Sequence, residues 1–176
     1  LYDQHLNFVK VCPVSIVTND ISFSESINAG QGELTLNLNL PIDTNYFENV
    51  KYIKVFVNDS QGLEDHLIYS GYLSKYVRIY SNNRENIQAH FLSLFSLFNE
   101  IYYKQGGETT FRKNADPAEI IREIVDQISA AYPGIFSSTA ESIVNYGQSV
   151  ELEIKDKKCG DLIAEIVSGT NYRFFV

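Results

Sequence analysis

Residues 51–80 carry a long alternation of apolar and polar positions: Ile53, Val55 and Val57 share one face of a first run, and Leu67, Tyr69, Leu73, Val77 and Ile79 one face of a second. Period-two alternation predicts strands with one buried face. Asn58, Asp59, Ser60, Gln61 and Gly62 separate the runs. Such residues bond their own backbone or tolerate positive φ, so the two runs predict a hairpin. Gly71 interrupts the inward set, and a glycine inside a strand marks a bulge or bend through which a sheet curls. A curled sheet in turn predicts a barrel.

The flanking segments add strands. Residues 6–18 hold LNFVKV and VSIVT on either side of Cys12 and Pro13, and the proline predicts two short strands or one broken strand. In residues 21–27, Ile21, Phe23, Glu25 and Ile27 alternate with serines, and residues 28–32 form a flexible reversal. Leu34, Leu36, Leu38 and Leu40 alternate with Thr35, Asn37 and Asn39, predicting an outer strand of an antiparallel sheet with one wet face. A strand over residues 86–93 follows, then a short helical or irregular plug over 94–99. A small hairpin comes next, with arms Ile101 to Lys104 and Glu108 to Arg112 around Gly106 and Gly107.

The period changes at residue 115. Asp116, Pro117, Ala118 and Glu119 read as a helix opening with a capping carboxylate and a proline at the first helical position. The helix from 117 to about 131 buries Ile120, Ile121, Ile124, Val125 and Ile128, and ends at Pro133 and Gly134. A strand with Val150, Leu152 and Ile154 inward leads to a second helix burying Leu162, Ile163, Ile166 and Val167, and NYRFFV begins another strand. The predicted fold is α+β: an antiparallel β-barrel domain over residues 1–112, then a small αβαβ domain over 113–176, with no repeat linking the two.

Composition narrows the functional classes. The 12 Tyr and 11 Phe, with no Trp and no Met, lean towards β structure. The missing initiator and the strand-like ending Tyr172 to Val176 predict a piece of a longer chain. A formal charge of -8 with 14 scattered Lys and Arg argues against direct nucleic-acid binding. No run approaches the roughly 18 consecutive apolar residues of a membrane span, and the first thirty residues lack a signal peptide's layout. Cys12 and Cys159 lack metal-ligand spacing and read as buried free thiols.

No catalytic constellation emerges. His5, His66 and His90 are isolated, with no helical-turn pair to hold a metal, although His90 lies in an otherwise apolar strand. There is no Gly-x-Ser-x-Gly elbow and no P-loop. Asp59, Glu64 and Asp65 gather carboxylates at a predicted hairpin tip, without the spacing of a calcium loop. With 22 acids available, no glycosidase pair can be nominated. Gly30, Gln31 and Gly32 lack the helix of a dinucleotide site, and Asn58-Asp59-Ser60 is a chance glycosylation match. The expectation is no enzyme, no cofactor and no metal. Tyr72, Tyr76 and Tyr80, with Arg78 beside them, form an aromatic row on the predicted outer face, of the kind enriched at protein interfaces.

Four stretches, GELTLNLNL, IYSGYLSKY, DPAEIIREIV and VELEIKDKKCGDLIAEIVSGTNYRFFV, resemble the N-terminal part of the tail hub proteins of tailed phages and phage-like particles, also called tail-associated or baseplate hub proteins. The likeness covers nearly the whole chain. It implies a non-enzymatic virion structural protein, a minor tail protein that forms a homotrimer at the tail tip. Its expected partners are the tail tube or distal tail protein, the tape-measure protein, and fibre or spike proteins. Two alternatives remain open: a secreted carbohydrate-binding or glycan-acting β-rich module, and the hub of a contractile injection system.

Overall fold

Strand β2 (Glu33–Pro41) keeps the alternation of its sequence: Leu34, Leu36, Leu38 and Leu40 are buried, and the residues between them are half-exposed. The computed structural model describes residues 1–12, 14–18, 22–23, 32–41, 45–58, 65–81, 83–136 and 143–170. The chain is mixed α/β, with a curled antiparallel sheet in one unit and a small two-stranded sheet with helices in another. Among the described residues, those up to Leu94 belong to the first unit and those from Phe95 onward to the second. The boundary therefore falls before the predicted 112/113, because Phe95, Phe98 and Tyr103 are buried in the same core as the helices.

In the first unit, β1 (Ser22–Phe23), β2, β3 (Tyr52–Asn58), β4 (Asp65–Ser81) and β5 (Arg84–Ser93) form one antiparallel sheet in the order β1-β2-β5-β4-β3. The expected outer strand β2 stands one place in from the edge, covered by the two residues of β1. Its leucines lie opposite β5 on one face, Leu34 against Phe91, Leu36 against Ala89 and Leu38 against Ile87. All six are at most 2 % exposed and define the inner face.

The strands predicted within residues 6–18 are replaced by a folded-back N-terminal segment. The Asp3 carboxylate accepts from the His5 and Asn7 amides at 2.8 Å each, and Leu6 adopts a φ of 61°. These local bonds satisfy backbone that a ladder would otherwise use. The 3₁₀ turn Val14–Ile16 follows, and among the described residues only isolated bridges, Tyr2 to Phe8 and Val17 to Leu38, are strand-like there. The strand predicted over residues 21–27 is described only at Ser22 and Phe23; the rest lies outside the described residues.

β4 differs most from its predicted pattern. It carries one extra residue against β3 between Tyr69 and Leu67, and one against β5 between Leu73 and Lys75. Each bulge shifts the side-chain parity by one, and a one-residue shift sends the following side chains to the opposite face. Leu67 consequently lies opposite Phe56, and Val77 and Ile79 lie opposite Gln88 and Asn86 on the outer face. Leu67, Val77 and Ile79 are about half exposed, as is Val57. Of the predicted inward set, Ile53 and Tyr69 are buried, and Val55 and Leu73 pack against that core.

Gly71 sits between the bulges rather than in one. A Cβ there would lie 2.6 Å from the Leu92 carbonyl oxygen and 2.7 Å from the Tyr69 ring. The Tyr69 ring crosses the glycine, and its hydroxyl donates to the Phe91 carbonyl at 3.2 Å.

In the second unit, the plug is a 3₁₀ helix, Leu94–Asn99. The hairpin expected after it forms only its turn, where Gln105 and Glu108 exchange backbone bonds of 3.0 and 3.1 Å. Its arms part: Tyr102 bridges to Lys158, and β6 (Thr110–Ala115) pairs with β7 (Val150–Lys155). Pairing with β7 sets Phe111 opposite Ile154, so the strand joins the helical core instead of closing a local loop. Helices α1 (Pro117–Ala131) and α2 (Cys159–Gly169) bury the predicted apolar faces around Ile154. The strand predicted for residues 171–176 lies outside the described residues.

Candidate functional site

The bulge at Ser74 decides where the aromatic row stands. Before it, Tyr72 lies opposite Leu92 on the outer face; after it, Tyr76, Arg78 and Tyr80 lie opposite Ala89, Ile87 and Glu85 on the inner face. The row predicted as one outer stripe is thus split. Tyr72 is only 7 % exposed, paired with Tyr52 across the ladder and with the Lys51 ammonium 5.5 Å from its ring centre. Tyr76 and Tyr80 remain 40 % and 55 % exposed at the open end of β4.

Around Arg78 the side chains form an ordered set. The Tyr76 ring lies 5.6 Å from the buried Phe47 ring and 5.4 Å from the Arg78 guanidinium. Arg78 Nη1 and Nη2 both point at Asn45 Oδ1, at 3.4 and 3.5 Å. Its Nε lies 3.2 Å from Oε1 of Glu85, a carboxylate with no exposed surface. That approach lies off the hydrogen-bonding direction, so both Glu85 oxygens are without a hydrogen-bond donor. A side-chain hydrogen bond to Tyr80 raises the guanidinium pKa above its ordinary value, against an opposing effect of burial, and Glu85 and Tyr76 reinforce the rise. Glu85 was not singled out in the sequence. The signal was present, since Glu85, Ile87, Ala89 and Phe91 share one parity and a carboxylate at the head of an apolar stripe needs a cation.

The arrangement is a charge pair with aromatic walls. It offers no nucleophile beside a base. The histidines do not converge on it: His5 Nε2 lies 3.1 Å from Gln4 Nε2, His66 is exposed opposite Val57, and His90 Nδ1 lies 3.1 Å from the Thr35 hydroxyl on the outer face. Among the described residues no group of three or more His, Cys, Asp or Glu is placed to hold a metal. Of the predicted acidic tip, Asp65 begins β4, while Asp59 and Glu64 lie outside the described residues. The glycosylation match and the Gly30-Gln31-Gly32 reversal also fall largely outside them. Cys12 is half-buried and Cys159 fully buried, and both are free.

In the second unit the polar clusters tie elements together. The Asp116 carboxylate caps α1 through the Ala118 amide at 2.8 Å and also accepts from the Tyr146 and Gly147 amides at 3.1 and 2.7 Å. Burial would raise its pKa, but these three donors, with Arg122 nearby, hold it below the ordinary aspartate value. Glu123 accepts from Tyr103 and from Lys113, the latter at 2.6 Å. Burial, then this bond, push the Tyr103 phenol well above its ordinary range.

No helix among the described residues is long and apolar enough to cross a membrane. No protein-family model matches the chain, and no curated protein matches it.

Proposed function

We propose that the chain is the N-terminal part of a phage-type tail hub: a structural, non-enzymatic protein that assembles as a trimer at the distal end of the tail tube and joins tube to tail tip. The observation that carries this reading is the order of elements: a curled antiparallel sheet with a 17-residue, twice-bulged strand next to its β3 edge, then a 3₁₀ plug, a strand, and an Asp-Pro-capped helix, strand and helix. In the assembled particle the curled sheet forms the wall of a barrel, a strand arrangement that removes exposed edges. The exposed ends of Tyr76, Arg78 and Tyr80 supply the contact surface, since aromatic and arginine side chains are enriched at the anchoring positions of protein interfaces. The tube or distal tail protein is the partner across it, with tape-measure, fibre and spike proteins held elsewhere in the hub.

Light scattering on the full-length protein tests this reading, with a trimer expected and a stable monomer overturning it. Co-sedimentation with purified tail tubes is the second test, and Arg78→Ala with Tyr80→Ala is expected to weaken it. Specific retention on a glycan array would instead favour a carbohydrate-binding module.

A further inference from the structure

A guanidinium can donate a parallel pair of N–H bonds from either of two edges, and each edge matches the two oxygens of a carboxylate. In Arg78 the Nε side stands against the fully buried Glu85 carboxylate, 3.2 Å from Oε1. The edge formed by Nη1 and Nη2 is aimed at one neutral oxygen, Asn45 Oδ1, at 3.4 and 3.5 Å. Charge-assisted bonds to a carboxylate are shorter, at about 2.7–2.9 Å. Two N–H groups that converge on a single distant oxygen match a carboxylate better, because it offers one oxygen to each and an opposite charge. Asn45 thus stands as a weak occupant of a carboxylate position.

The surroundings favour the same ligand. Tyr80 and Tyr76 hydrogen-bond the guanidinium, and a phenol oxygen that accepts from it keeps its own proton to donate. Asn45, Tyr76 and Tyr80 are exposed, and Arg78 is partly so. The acid of this set, Glu85, lies beneath them with no exposed surface, and neither of its oxygens receives a donor. Solvent therefore meets a cation and hydrogen-bond donors, while the compensating charge is covered. Glu85 holds the guanidinium by charge and not by hydrogen bonds, which leaves the Nη edge for an acceptor from outside. On a chain of net charge -8, this end of β4 is a local reversal of sign, and such complementarity selects partners by their charge.

We propose that Arg78 binds the carboxylate of an aspartate or glutamate side chain on a partner protein through Nη1 and Nη2, displacing Asn45, with the Tyr76 and Tyr80 hydroxyls donating to the same group. The guanidinium then lies between two carboxylates, Glu85 within the chain and the partner's acid outside it. This gives the chemistry of the partner at the contact surface of the proposed hub, and it rests on that reading for the place of the contact in the particle.

The probe is a capped tripeptide with a central glutamate, titrated into the whole chain while the Arg78 Nε–H and the Tyr76 and Tyr80 ring resonances are followed by NMR. A saturable shift is expected, with the glutamine counterpart weaker by about tenfold or more. Arg78→Lys keeps a cation beside Glu85 but loses the fork, and should weaken binding by about tenfold as read from the tyrosine rings. Asn45→Ala, at an exposed position, removes the competing oxygen and should tighten binding by about twofold. The proposal is overturned by the absence of a saturable shift, by equal responses to glutamate and glutamine, by undiminished binding in Arg78→Lys, or by weaker binding in Asn45→Ala. Acetate that binds as tightly as the glutamate peptide would also overturn it, by making a small carboxylate the ligand. A glutamate-selective response from a protein that is monomeric by light scattering removes the hub and keeps this inference, and a trimer without that response does the reverse.

Discussion

Arg78 Nε stands 3.2 Å from Oε1 of Glu85, and the two share a face because β4 spends one more residue than β5 between Leu73 and Lys75. Without that residue Arg78 would point to the opposite side from the Glu85 carboxylate. The bulge therefore sets both the electrostatics and the exposed chemistry of this end of the sheet.

Glu85 has no exposed surface, whereas the Arg78 side chain is 25 % exposed. Removing the cation strands a buried charge, while removing the acid leaves a cation that still reaches water. Urea unfolding should order the variants accordingly: Arg78→Leu lowers the midpoint most, Glu85→Leu less, and the double variant least. Additive losses would show that the two groups are uncoupled.

The parity reversal makes neighbouring positions behave differently. Tyr76→Ala removes the ring packed on Phe47 and should cost about 1–2 kcal/mol. Val77→Thr and Ile79→Thr, at half-exposed outer positions, should each stay within about 0.5 kcal/mol. Chemical denaturation of the three variants checks the assignment, and the reverse ranking would refute it.

At Gly71 the obstacle is backbone. An added methyl meets the Leu92 carbonyl oxygen at 2.6 Å, and overpacking of this kind costs about 1–3 kcal/mol. Gly71→Ala should lose that much stability in a urea titration. Adding Tyr69→Phe should not restore it, since the Leu92 contact remains.

The Asp116 carboxyl titrates below its ordinary value of 3.8 when folded. A depressed folded pKa contributes stability that is present above the unfolded value and lost as pH falls through the folded one. The melting temperature should therefore drop on acidification below the ordinary aspartate range, and Asp116→Asn should flatten that limb. Asp3, lowered chiefly by its side-chain bond to Asn7, contributes in the same direction.

Burial pushes the Cys159 thiol up to about 12 and raises Cys12 as well. Thiolate is the reactive form, so a disulfide reagent at about pH 8 should modify both slowly. Half-buried Cys12 should react first, and Cys159 only on unfolding. Mass spectrometry of time points resolves the order, and rapid modification of Cys159 in the native protein would contradict its burial.

The local grammar of the chain determined a good deal. The leucine alternation fixed which face β2 buries, the Asp116-Pro117 opening fixed where α1 starts, and the isoleucine and leucine spacing fixed which faces α1 and α2 bury. These signals lie within a single element, where neighbours in sequence are neighbours in space. The tertiary structure decided what depends on a second strand. A bulge is a mismatch of count between partners, so neither Ile68 nor Ser74 announces it alone, yet these positions reversed the faces of Leu67, Tyr76, Val77, Arg78, Ile79 and Tyr80. In the same way β6 left the turn at Gly106 and Gly107 for β7, because burying Phe111 and Ile154 against the helices gains more than a local hairpin offers.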